Sequence, residues 1–146
     1  MRSDEFEPID PAWRESILKD IPAEPFIRFL GLHYEDVRRE YARMRLPFRP
    51  ELLQAGGVVH GGAIASLADT AGVGAVLSSM KARPSSLFTV DSHVQYLDSV
   101  AREDLIAEAR VRRRGRTLVF VEVEVGSAGR EAAHAALIYK VGADPQ

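Results

Sequence analysis

One carboxylate stands inside an otherwise apolar, alanine-rich stretch. It is Asp69, in the run Gln54-Ala-Gly-Gly-Val-Val-His-Gly-Gly-Ala-Ile-Ala-Ser-Leu-Ala-Asp-Thr-Ala-Gly72. An acid in such surroundings is costly to desolvate, so it is either satisfied by neighbouring donors or kept for chemistry. A carboxylate in that position can take a proton from water or attack an electrophilic carbonyl itself. Upstream, His60 is followed by Gly61 and Gly62. If a helix begins there, its first amides lack intrahelical acceptors and carry the positive end of the helix dipole. Glycine lets a substrate carbonyl come close to the backbone. A Gly61 N–H aimed at that oxygen is an oxyanion donor, worth ~3 kcal/mol in a transition state. An acid and an oxyanion donor together suit attack on an acyl carbon.

The spacing of these groups adds a constraint. Asp69 follows His60 by nine residues. At 1.5 Å per residue that is about 13 Å along a helix axis, too far for both to reach one carbonyl. Two antiparallel copies of the helix across a twofold axis bring the start of each to the middle of the other. The spacing therefore predicts a homodimer with two shared sites.

Other residues offer less. His60 reads as a brace for the glycine turn, with a catalytic role as its rival. Arg113, Arg114, Gly115 and Arg116 form a basic turn that either binds anions or is simply a solvated hairpin tip. Asp91 and His93 share a strand face but have no third ligand nearby in the pattern, so no metal site is expected. There is no cysteine, which excludes disulfides and thiolate chemistry. No P-loop, dinucleotide glycine pattern or nucleophile elbow is present. The net charge of −2 argues against nucleic acid. The acidic start, Met1 to Glu7, lacks the apolar core of a signal peptide, and no stretch reads as a bilayer span. A cytoplasmic protein with no membrane partner is the expectation.

Elements must hold these residues in place. The 146 residues, 46% hydrophobic and 27% charged, suit one full-sized core. Residues 1–12 read as a loose lead-in. Short helices are predicted over Trp13 to Asp20 and Phe26 to Leu30, the second stopped by Gly31. Strands follow over Leu32 to Arg38 and Glu40 to Leu46. Val59 to about Met80 is the one long helix, apolar on nearly every side and so buried on nearly every side. Gly72 and Gly74 each cost it ~1 kcal/mol against alanine. Close packing against a sheet or partner helix must offset that cost. After Pro84 the pattern turns to period two: Leu87 to Leu97, Asp104 to Arg113, Thr117 to Val125 and Glu131 to Val141. The last four strands are expected in hairpin succession. The class is α+β, an antiparallel sheet wrapped around one long central helix. Residues 1–30 form the lead-in and 31–146 the domain.

At this point the residues carry a resemblance. Gly57, His60, Gly61, Gly62, Leu67, Ala68, Asp69 and Ala71 match the signature of the hot-dog-fold acyl-CoA thioesterases, in their phenylacetyl-CoA thioesterase-like (PaaI-like) group. That signature is Asn-x-x-Gly-x-x-His-Gly-Gly, then a helix with Leu-Ala-Asp-x-Ala. The likeness extends through Thr89 and the Arg114-Gly115-Arg116 turn, over roughly residues 30 to 142. One departure is Gln54, where the group carries asparagine; a related 4-hydroxybenzoyl-CoA group has glutamine there but glutamate as the acid. The departure bears on substrate identity more than on reaction class.

The resemblance implies a hot-dog fold, a dimer or tetramer, and hydrolysis of an acyl-CoA to the free acid and coenzyme A. Coenzyme A is then part of the substrate, and no cofactor or metal is implied. Gly61 would donate to the oxyanion, and Asp69 of the partner subunit would serve as nucleophile or general base. Gln54 would bind substrate or water, and Thr89 the water or the Asp69 carboxylate. Gly57 and Gly62 would bind substrate along the turn, and the turn of Arg113, Arg114, Gly115 and Arg116 would grip the coenzyme A phosphates. The rival readings are a non-catalytic acyl-CoA-binding module and a hot-dog dehydratase. The acyl group stays open among aryl-acetyl, benzoyl and medium-chain types.

Overall fold

The structure is a computed structural model that describes residues 2–142; the predictions at Met1 and 143–146 lie outside the described residues. Two short helices come first, α1 (Pro11–Asp20) and α2 (Pro25–Leu30). The Asp10 side chain caps α1 by accepting from the Trp13 N–H at 2.9 Å, with Pro11 at its first position. Gly31 ends α2 at φ 75°, a left-handed conformation that glycine adopts without strain. Strands β1 (His33–Arg38) and β2 (Tyr41–Leu46) precede the long helix α3 (Gly61–Ser78). Strands β3 (Leu87–Tyr96), β4 (Leu105–Arg114), β5 (Leu118–Ser127) and β6 (Arg130–Val141) complete the chain. Predicted bounds and observed bounds differ by a residue or two at most ends, as expected where termini are set by capping.

The six strands form one antiparallel sheet in the order β1-β2-β4-β5-β6-β3. Its inner face alternates as period two demands. Leu105, Ala107 and Ala109 of β4 and Val119, Val121, Val123 and Val125 of β5 are buried. They pack on α3, whose Leu67, Ala68, Ala71, Ala75 and Val76 are fully buried. Small side chains on both surfaces let the sheet curl tightly round the helix. This is the hot-dog arrangement, and the class is α+β.

Three expectations need correcting. The last four strands are not in simple hairpin succession, because β3 pairs with β6 and lies at the far edge from β1. Residues 97–104 are too long for a tight hairpin and instead cross the end of the sheet. There the Val100 carbonyl accepts from the Val59 N–H at 2.7 Å, tying this crossover to the turn before α3. The lead-in is not loose over its described part: Phe6 stacks on Tyr41 at 4.6 Å and the Glu7 carbonyl accepts from the Arg39 N–H at 2.8 Å. Finally, α3 is long and apolar enough to cross a bilayer, with 18 residues and mean hydropathy 1.2, yet 67% of it is buried inside the fold. Its hydropathy serves the core.

Charged residues cover the outer face of the sheet. Arg43 and Arg45 reach Glu35, Arg43 also reaches Glu108, and Arg45 reaches Asp104. Burial pushes the Glu35 carboxyl up, but its bonds to the two arginines outweigh this and hold it below the ordinary range. On the inner side α1 closes one end of the core through Ile17 and Ile21, and Trp13 Nε1 donates to the Leu77 carbonyl at 3.0 Å.

Candidate active site

The turn before α3 is held by backbone bonds. The Gln54 N–H donates to the Val58 carbonyl at 2.8 Å, the Gly57 N–H to the Gln54 carbonyl at 3.0 Å, and the His60 N–H to the Leu52 carbonyl at 2.7 Å. Gly57 takes φ 80°, which explains a glycine there. The Gln54 side chain folds back on its own turn, where Oε1 accepts from the Gly56 N–H. Gln54 is exposed, so the structure places it at the turn and not against Asp69.

His60 is the N-cap of α3. Its Nδ1 accepts from the Gly62 N–H at 2.8 Å, and its carbonyl accepts from the N–H groups of Ala63 and Ile64 at 2.9 and 3.3 Å. Three of the first four helix amides are therefore occupied. The fourth, the Gly61 N–H, meets no acceptor among the described residues. The cap thus leaves one amide at the positive end of a helix available to a substrate oxygen. Tyr96 stands beside it, donating from Oη to the Gly61 carbonyl at 3.1 Å. A side chain at residue 61 would meet the Tyr96 ring at 3.2 Å, so glycine keeps this approach open. A cavity of about 430 Å³ lies here, lined in part by Gly61, Ile64, Tyr96 and Leu97.

Asp69 is half-buried two helical turns further on. Its Oδ1 accepts from Thr89 Oγ1 at 2.7 Å, and the Tyr139 hydroxyl lies 3.1 Å from the same oxygen. Tyr139 also donates to the Asp69 carbonyl at 2.7 Å. A second cavity, of about 450 Å³, opens at Asp69 against Glu24, Pro25, Phe26, Ile27 and Val73. The two cavities share no lining residue. Within one chain the free amide and the carboxylate therefore open on two separate cavities.

The helix is seated by two buried tyrosines. Tyr139 of β6 meets it at Gly72, where an added Cβ would lie 2.0 Å from the phenol oxygen. Tyr34 of β1 meets it at Gly74, where an added Cβ would lie 2.5 Å from the ring, and donates to the Thr70 carbonyl at 2.6 Å. Burial raises both phenols well above their ordinary range, helped at Tyr139 by the Asp69 charge, so both remain protonated donors. The sheet thus supplies the close packing that the two glycines call for. The sequence reading missed Tyr139 and Tyr34 as site residues. The available signal was a tyrosine on the inner face of a strand, which must find a hydrogen-bond partner when buried, together with two glycines inside a helix.

The basic turn joins β4 and β5, with Arg113 and Arg116 exposed and Arg114 donating to the Gly115 carbonyl at 2.5 Å. Gly115 is required there because a Cβ would meet the Leu118 carbonyl at 2.7 Å. In register, Arg114 faces Val119, Val119 faces Tyr139, and Tyr139 faces Thr89. Arg114 therefore stands at the same level of the sheet as the Asp69 partners, two strands from Tyr139 and three from Thr89. Among the described residues no group of three His, Asp or Glu side chains gathers to hold a metal ion.

Residues 56–133 match the family model of the thioesterase superfamily. A Halobacterium salinarum protein named as an esterase is 42% identical over 103 residues, covering 68% of each chain. The medium/long-chain acyl-CoA thioesterase YigI of Escherichia coli K12 is 30% identical over 115 residues, or 69% of this chain and 74% of its own. The solved structure of the conserved protein PA5202 from Pseudomonas aeruginosa has a TM-score of 0.79 at 28% identity, over 84% of this chain and 98% of that one.

Proposed function

The chain belongs to the thioesterase superfamily, and from that premise we propose that it hydrolyses an acyl-CoA thioester to the free acid and coenzyme A. The observation that carries this reading is the Gly61 N–H, left without an acceptor while His60 occupies its neighbours. An amide so isolated at a helix start suits the oxygen of a thioester carbonyl as it gains charge. The likeness to an acyl-CoA thioesterase supports coenzyme A as the leaving group.

In the proposed reaction a water oxygen attacks the thioester carbon while Asp69 takes the water proton. The carbonyl electrons move to the oxygen held by Gly61, then return as the carbon–sulfur bond breaks. The thiolate of coenzyme A leaves and is protonated by the Asp69 carboxylic acid, which restores the carboxylate. Direct attack by Asp69, giving a mixed anhydride that water then opens, uses the same groups. The apolar lining from Pro25, Phe26, Ile27 and Val73 beside Asp69 suits an apolar acyl group. The arginine turn would hold the phosphates.

The site is completed by a second copy of the chain. Strand β3 is a ten-residue edge strand, with Phe88 64% and Val90 52% exposed on it. An edge of that length and hydrophobicity needs a partner. Antiparallel pairing of β3 with its copy sets the two α3 helices antiparallel and turns each Gly61 half-site toward the other chain's Asp69.

Thiol release from a panel of aryl-acetyl, benzoyl and medium-chain acyl-CoAs tests the reading. The native protein is expected to turn over at least one, and Asp69→Ala to lose ~10²–10⁴-fold in kcat. Unchanged turnover in that variant would overturn the role of Asp69. Tight acyl-CoA binding without thiol release would favour a non-catalytic binding module, and hydration of an enoyl-CoA a dehydratase.

A further inference from the structure

We propose that Tyr139 is the positioning residue of Asp69: with Thr89 it ties down Oδ1 and leaves Oδ2 as the oxygen that meets water or thioester. This rests on the hydrolase reading above. The Tyr139 side chain rises from β6 and is fully buried. Its oxygen stands 2.7 Å from the Asp69 carbonyl and 3.1 Å from Oδ1. One phenol proton is thus shared between the main chain and the side chain of a single residue, fixing both the helix position and the carboxylate rotation. Thr89 Oγ1, from a different strand, donates to the same Oδ1 at 2.7 Å.

Two hydroxyls fill the accepting capacity of Oδ1. Oδ2 accepts from no donor among the described residues. The asymmetry assigns the two oxygens different work: one anchors and the other reacts. Anchoring matters because a carboxylate that swings about its side-chain bonds must be fixed again at each turnover, and a misplacement of 1 Å can cost ~10²-fold in rate.

The phenol reaches Asp69 only because residue 72 has no side chain. A Cβ there would lie 2.0 Å from the Tyr139 oxygen. The contact is therefore built into two elements at once, a glycine in α3 and a tyrosine in β6. The same opening admits the edge of the ring, whose nearest carbons would lie 2.8 and 3.1 Å from that Cβ, so what sets tyrosine apart from phenylalanine here is the pair of hydrogen bonds to Asp69.

The test is Tyr139→Phe, which keeps the ring and removes the donor. Its kcat is expected to fall about 10- to 100-fold, with KM changed less than about twofold because no substrate contact is lost. In an Asp69→Ala background the same substitution is expected to change the residual rate less than about twofold, since there is no carboxylate left to position. A native kcat in Tyr139→Phe, or an equal loss in both backgrounds, would overturn the proposal. If the native protein cleaves no acyl-CoA, the hydrolase reading falls, and the anchor is decided by urea unfolding of the same four proteins. The double variant should then lose less of its midpoint than the two single losses summed. Simple additivity would sink the anchor even with the hydrolase reading intact.

Discussion

His60 shows how one capping residue can decide which helix amide stays free. Its Nδ1 takes the Gly62 N–H and its carbonyl takes two more, so that of the first four amides of α3 the Gly61 N–H is the one without an acceptor among the described residues. On this geometry the ring is needed as an acceptor and not as an acid or base. His60→Ala should then cost about 1 kcal/mol of stability, the usual loss of an N-cap, and several-fold in kcat/KM, because a second unfilled amide draws water to the site. His60→Asn should recover most of both, since asparagine is among the best capping residues. Thermal unfolding and thiol release measured together on the two variants check this. Equal and severe loss of rate in both, with stability kept in His60→Asn, would show that the imidazole itself takes part in chemistry. At this scale the sequence was legible where local chemistry decides. Gly61, His60 and Asp69 sit at a helix start and its middle, and helix geometry follows from spacing alone. The rotamer of Gln54 was not legible, because its amide oxygen accepts from the Gly56 N–H within its own loop, a choice that depends on local backbone angles.

Helix α3 reverses the usual rule for glycine. In a helix interior alanine is favoured over glycine by ~1 kcal/mol, yet Gly72 and Gly74 are where Tyr139 and Tyr34 press against the backbone. Gly72→Ala and Gly74→Ala are therefore each expected to destabilise by about 1–3 kcal/mol, the cost of overpacking a filled core. Urea midpoints would show it, and a stabilised Gly72→Ala would mean that the phenol has room to move. Gly72→Ala should also lose rate, because it displaces the Tyr139 hydroxyl from Asp69. The element pattern itself was legible, since period two marks β4, β5 and β6 and the apolar run marks α3. Strand order was not. The alternation of Leu87 to Tyr96 says that a strand exists, while its place beside β6 depends on the crossover of residues 97–104 and its bond from Val59 to Val100. Contacts made between distant segments leave no periodic trace, and Tyr139 was overlooked for the same reason. Its partner lies seventy residues away in the chain.

At the scale of the whole molecule the proposed reaction is divided between two places. Gly61 opens on one cavity and Asp69 on another, with no lining residue in common. Eight residues of helix, about 12 Å, separate them, and α3 is one continuous helix from Gly61 to Ser78. In the proposed reaction a second chain brings the two together. The exposed β3 edge, with Phe88 and Val90, is the surface proposed for that pairing. If the proposed pairing is right, each dimer holds two sites, and each site takes its amide from one chain and its carboxylate from the other. Complementation follows. Asp69→Ala lacks the carboxylate, and Gly61→Pro lacks the N–H while keeping a residue that suits the first turn of a helix. Each homodimer should be nearly inactive. In a mixed dimer one site gathers both defects and the other gathers none. Random exchange of equal amounts makes half of the dimers mixed, each with one of two sites intact, so about a quarter of native activity should return. Mass spectrometry of differently tagged chains would establish exchange, and thiol release would read the activity. Full exchange with no recovery would mean that the amide and carboxylate of different chains do not meet in one site. The result would then overturn the shared site and the β3 pairing together.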